Sequence, residues 1–133
     1  MSEQQTTDAV ATRIPEPVGH YSHVVELPNG IVYLAGQKAW KYGRGTDIEG
    51  DITEQTHRVM DNIEAILAGV GLGFKHVTRI HCCLADINDF EAFERVYSSR
   101  LGDHKPARVT LGGLTLRGGA LVELIVEAYR PQP

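Results

Sequence analysis

The segment Leu121-Val122-Glu123-Leu124-Ile125-Val126-Glu127-Ala128-Tyr129 constrains the fold more than any other part of the chain. Side chains of a strand point alternately to opposite faces. Val122, Leu124, Val126 and Ala128 therefore share one wholly apolar face, and Glu123, Ile125, Glu127 and Tyr129 share a mixed one. Such a strand covers a core on one side and meets something wetter on the other. Residues 76–85 read the same way, with Ile80, Cys82 and Leu84 opposite Arg79, His81 and Cys83. Residues 23–27 and 31–35 flank Pro28-Asn29-Gly30, a tight-turn signal, and form a hairpin. In the short strand 108–111, Val109 and Leu111 oppose Arg108 and Thr110, which places Arg108 and Thr110 on the polar face.

Two other segments change period. Ile52, Val59, Met60, Ile63, Ile66 and Leu67 recur at helical spacing behind Asp51, an N-cap residue with Glu54 three positions on. Gly69 and Gly71 stop that helix. Asp86-Ile87-Asn88-Asp89 opens a second one, carried by Phe90, Phe93, Val96, Tyr97 and Leu101 and broken at Lys105-Pro106. Residues 38–50, with Trp40, Tyr42 and three glycines, read mainly as a loop. The order ββαβαββ predicts an α+β fold, one sheet with two helices on its apolar face. At 133 residues the chain fills one domain, expected over residues 14–133 behind a flexible tail of residues 1–13. The mixed sheet face is either solvated or packed against copies of itself, which would enclose Arg108 and Glu123 in an interface. The pattern leaves both open.

Charge narrows the function classes. A net charge of −4 argues against a general nucleic-acid or anionic-membrane binder. Residues 1–13 lack the apolar stretch of a signal peptide, and no run approaches the ~18 apolar residues of a membrane span. Cys82 and Cys83 are adjacent on a strand and point apart, so no disulfide between them is expected and a reducing compartment, the cytoplasm, fits best. His20, His23, His57, His76, His81 and His104 form none of the usual metal-ligand spacings. No metal site is expected from them.

Two charged residues stand out. Arg108 opens a strand directly after Lys105-Pro106-Ala107, where rigid backbone would fix a guanidinium able to grip a carboxylate with both arms. Glu123 interrupts an apolar run and either pairs with an arginine or polarises a water. Cys82 falls on the core face, and nothing marks Cys83 as an activated thiol.

Several short motifs, in order from Pro17 to Ala128, resemble those of the Rid (reactive intermediate deaminase, YjgF-type) family. Gly19-His20-Tyr21-Ser22 is similar to its Gly-Pro-Tyr-Ser, and Ala35-Gly36-Gln37 to its Ser-Gly-Gln. Gln55, Asn62 and Ile63 match its first helix, and Leu84-Ala85-Asp86-Ile87-Asn88-Asp89-Phe90 the junction before its second. Pro106-Ala107-Arg108 is its Pro-Ala-Arg, and Gly119-Ala120-Leu121-Val122-Glu123 matches its closing strand. The resemblance implies a homotrimer with a central barrel of three sheets and sites between subunits. It implies deamination of enamines and imines such as 2-aminoacrylate to 2-oxo acids and ammonia, with no cofactor. Arg108 would bind the substrate carboxylate, Glu123 would hold the attacking water, and Tyr21 would close the pocket. Ala35, Gly36, Glu94, Thr110 and Trp40 would line it. Ala35 stands where the family often has Ser, His20 where it has Pro, Glu94 where it has Asn and Thr110 where it often has Cys. These departures leave two substrates open, a 2-aminoacrylate-like imine and a larger, pathway-specific one. Two other readings stay open, a non-catalytic binder of small carboxylates and a ribonuclease or translation inhibitor.

Overall fold

The computed structural model describes residue 17, residues 19–40 and residues 48–133. The expected tail, and the loop positions Tyr42 and Gly43-Arg44-Gly45, lie outside them. Five strands and two long helices follow in the expected order: β1 (Val24–Glu26), β2 (Ile31–Leu34), α1 (Ile52–Gly69), β3 (Val77–Leu84), α2 (Phe90–Leu101), β4 (Ala107–Leu111) and β5 (Val122–Tyr129).

Local chemistry explains the boundaries. The Asp51 side chain accepts from Glu54 N at 2.9 Å, and the Glu54 side chain accepts from Asp51 N at 3.0 Å. This reciprocal cap satisfies two amide groups that a helix start leaves unpaired. α1 ends at Gly69, and Gly71 follows with φ of +79°. In the β1–β2 turn, Asn29 Oδ1 accepts from Ile31 N at 3.1 Å. Gly30 has φ of +98°, and a Cβ there would lie 2.5 Å from Arg130 O. Ile87–Asp89 forms a short 3-10 turn ahead of α2, its start capped by Asp86 Oδ1 on Asn88 N at 2.9 Å.

The strands pair in the order β1-β2-β5-β3-β4. All pairs are antiparallel except β3 with β4, which run parallel and are joined by α2. Both helices cover one face. Val59, Met60, Ile63, Ile66 and Leu67 of α1 and Phe93 and Leu101 of α2 enclose Ile80, Cys82 and Leu84 of β3 and Val122, Leu124, Val126 and Ala128 of β5. Each fully buried aliphatic or aromatic side chain stabilises the fold by roughly 1.5–3 kcal/mol. β5 alternates buried and open positions along its whole length, as its sequence predicts.

One expectation is corrected. Arg108 and Thr110 do not lie on the open sheet face. In the parallel register Arg108 pairs with Ile80 and Thr110 with Cys82, both core-facing residues, so their side chains point to the helix side. Val109 and Leu111 point the other way, beside His81 and Cys83 of β3. The open face is consequently more apolar than its sequence suggests: Tyr33, Val109, Leu111, Ile125 and Tyr129 are all exposed on it or at its strand ends. β4 is an edge strand, and α2 crosses it with aromatic and charged side chains that accept a cation where the core proper could not.

Candidate functional site

Two groups of residues carry chemistry, one on each side of the sheet. The first gathers around Arg108. Its guanidinium carbon lies 5.1 Å from the Tyr97 ring and 5.5 Å from the Phe90 ring, over aromatic side chains of α2. Nη1 donates to Glu94 Oε1 at 2.5 Å. Burial draws the Arg108 pKa down, but the hydrogen bond and charge of Glu94 outweigh it and the net direction is up. The side chain is 27% exposed, so its remaining donors face an open cleft of about 420 Å³. Glu94, Tyr97, Leu101, His104, Lys105 and Pro106 line that cleft with it. Glu94 and Tyr97 sit one helical turn apart, which puts both on the α2 surface that β4 meets.

Burial pushes the Tyr97 phenol up, against the charge and side-chain hydrogen bond of Arg108. Cys82, behind Thr110, is raised to about 12 by burial, which Arg108 only partly opposes. Neither thiol is activated: burial and the nearby Glu123 charge also raise Cys83.

The second group surrounds Glu123 on the open side. Its carboxylate lies so close over Gly36 that any Cβ there would overlap Oε2. Lys38 Nζ is 4.0 Å from the same oxygen and 4.7 Å from the centroid of the buried Trp40 ring. The partner of Glu123 is thus a lysine, not the arginine its sequence context suggests. The segment carrying Gly36 and Lys38 is fixed by Gln37, whose backbone pairs with Leu124 at 2.9 Å in both directions. Asn62 of α1 donates to the carbonyls of Lys38 and Trp40 at 3.0 and 3.3 Å. Ala35 N donates to His23 O at 2.9 Å, and Tyr21 meets the His23 ring edge-on at 6.1 Å. Among the described residues, no three His, Cys, Asp or Glu side chains are grouped to hold a metal ion.

Of the residues singled out in the sequence, Arg108 and Glu94 come together, while Thr110 shares their side of the sheet but lies against Cys82 outside the cleft lining. Glu123 meets Gly36 and, through Lys38, Trp40, while Ala35 and Tyr21 sit beside His23. Arg108 and Glu123 stand on opposite faces of the sheet, with β3 between their strands. Phe90 and Tyr97, read in the sequence only as helix-core positions, prove to be the platform under Arg108. Their signal was the i, i+3 and i, i+4 spacing that places Phe90, Glu94 and Tyr97 on one helix face. Lys38 carried no signal, because its contact with Glu123 depends on the Gln37–Leu124 bridge.

The sequence matches the family model described as endoribonuclease L-PSP over residues 11–130. The chain belongs to this family, that of the YjgF/Rid proteins. A RutC family protein of Pyrococcus abyssi is 37% identical over 118 residues, covering 89% of this chain and 92% of that one. A 2-iminobutanoate/2-iminopropanoate deaminase of Capra hircus is 32% identical over 112 residues, covering 84% and 81%. Among solved structures, E. coli TdcF with bound serine superposes with a TM-score of 0.83 at 25% identity, covering 90% of this chain and 95% of that one. The Rid-type fold, one sheet backed by two helices, is common to these proteins and this chain.

Proposed function

We propose that this Rid family member hydrolyses 2-imino acids and their enamine tautomers to 2-oxo acids and ammonium. The observation that carries the reading is Arg108: a guanidinium fixed by two aromatic rings, with free donors turned into a cleft. With Nη1 given to Glu94, the rest of the guanidinium suits a ligand carboxylate. The family membership and a relative named as an imine deaminase support it, and so does a bound amino acid in another member.

In the reaction, water oxygen adds to the imine carbon and the C=N π pair moves to nitrogen. Nitrogen takes up protons and leaves as ammonia, and the carbon keeps a carbonyl. An imine is already electrophilic, so orientation and a positioned water supply most of the acceleration. Glu123 would hold that water. Because Glu123 and Arg108 of one chain face apart, the site is completed between copies, as a homotrimer joined through the open, apolar sheet face. Tyr21 then closes the pocket from the neighbouring copy.

The test uses imines made in place by an L-amino-acid oxidase and trapped with semicarbazide. Wild-type protein should lower the semicarbazone yield, and Arg108→Ala should leave it at the protein-free level. Equal yields with wild type, variant and buffer, across several side chains, would defeat the proposal. Thermal stabilisation by carboxylates without turnover would instead favour a non-catalytic binder. The net charge of −4 counts against RNA cleavage.

A further inference from the structure

The ion pair between Arg108 and Glu94 is unexpected in a carboxylate-binding cleft. Oε1 of Glu94 already occupies one arm of the fork at 2.5 Å. A ligand carboxylate on the other arm would lie beside a second carboxylate, and like charges at such range repel. Arg108 cannot easily move away, because its guanidinium rests on the Phe90 and Tyr97 rings and is tied to Glu94. Glu94 is fixed by the same helix, yet its side chain remains 39% exposed and within reach of a ligand. The cleft therefore presents a cation and an anion side by side, with Tyr97 in the wall.

A ligand matched to that pair carries both charges on adjacent carbons. We propose that Glu94 receives the cationic nitrogen of the substrate while Arg108 receives its carboxylate, so that the site selects zwitterions over simple carboxylates. This rests on the imine-hydrolase reading of the cleft and specifies its substrate form: the 2-iminium carboxylate. The protonated iminium is the electrophilic form, and a carboxylate facing its N–H groups favours it over the neutral imine. As water adds, the π pair passes to nitrogen, which takes one proton of the added water and leaves as ammonia. The second water proton leaves the oxygen as the carbonyl forms and goes to the departing ammonia, giving ammonium. The 2-oxo acid left behind has no cation, meets Glu94 as a like charge, and is released. Glu94 thus acts as a specificity residue that also speeds product departure.

A matched ligand pair tests this without turnover. L-alanine and L-lactate differ only in an ammonium against a hydroxyl, and their dissociation constants are measured by NMR titration of the wild type, Glu94→Gln and Arg108→Ala. We expect wild type to bind alanine at least tenfold more tightly than lactate. Glu94→Gln should bring that ratio near one, with lactate held as well as or better than before, and Arg108→Ala should lose both ligands. Thermal melting checks that the near-isosteric Gln variant is folded. Equal binding by wild type, or an unchanged ratio in Glu94→Gln, overturns the proposal. A purely structural role for Glu94 predicts the latter, since loosening Arg108 would weaken both ligands alike. Imine hydrolysis with a ratio of one leaves the deaminase reading standing and removes this one. A tenfold ratio without imine hydrolysis does the reverse.

Discussion

At the residue scale, Arg108 depends on planarity as much as on charge. Stacking on Tyr97 and Phe90 and the two-armed grip both need a flat guanidinium, which lysine lacks. Arg108→Lys should therefore lose about 100-fold or more in kcat/KM in the trapping assay, as expected when orientation of the reacting group is lost. Its melting temperature should stay close to wild type, because the side chain is partly exposed. Gly36 offers an independent handle on Glu123. A Cβ at position 36 displaces the carboxylate, so Gly36→Ala should cut kcat with little change in the affinity for carboxylates, read by steady-state kinetics and ligand titration.

The two thiols give a pH test. Burial raises Cys82 to about 12, while an unfolded cysteine titrates near pH 8.5. Between those values the native state keeps a proton that the unfolded state has lost, so this contribution is fully present below about pH 8.5 and is lost as pH rises. Urea midpoints should fall from pH 8 to pH 10, and less steeply in Cys82→Ala, whose stability is lower throughout because of the cavity. An equal slope in both proteins would show that Cys82 is not the group responsible.

At the scale of elements, helices and central strands were legible because their periods differ and their ends carry chemistry. The Asp51–Glu54 cap can be read directly, and Asp51→Ala should cost about 1 kcal/mol in denaturant unfolding. β4 shows where the pattern runs out. Alternation separates Arg108 and Thr110 from Val109 and Leu111, but it does not say which pair faces the helices. In an edge strand, neither face is bound to be the apolar one. The answer lies in the parallel register with β3, set by the α2 crossover and invisible in the local sequence. The Lys38–Glu123 contact was hidden for a similar reason, since a long-range bridge at Gln37 creates it.

At the scale of the whole molecule, the separation of Arg108 from Glu123 and the apolar open face make one argument. Tyr33, Val109, Leu111, Ile125 and Tyr129 remain exposed in a single chain, and large apolar patches mark interaction surfaces. A charge there, as in Ile125→Asp, should shift the protein toward monomers in analytical ultracentrifugation. Activity should be lost with the assembly while Arg108 and Glu123 are untouched. The most direct test of a site shared between copies combines two inactive variants. Arg108→Ala and Glu123→Gln chains, co-expressed with different tags and purified as mixed assemblies, should regain imine hydrolysis. In a closed ring of three that contains both chains, one site in three would pair an intact Arg108 with an intact Glu123 from the next copy. Mixed assemblies as inactive as either parent would contradict the shared site and place both residues' work within one chain.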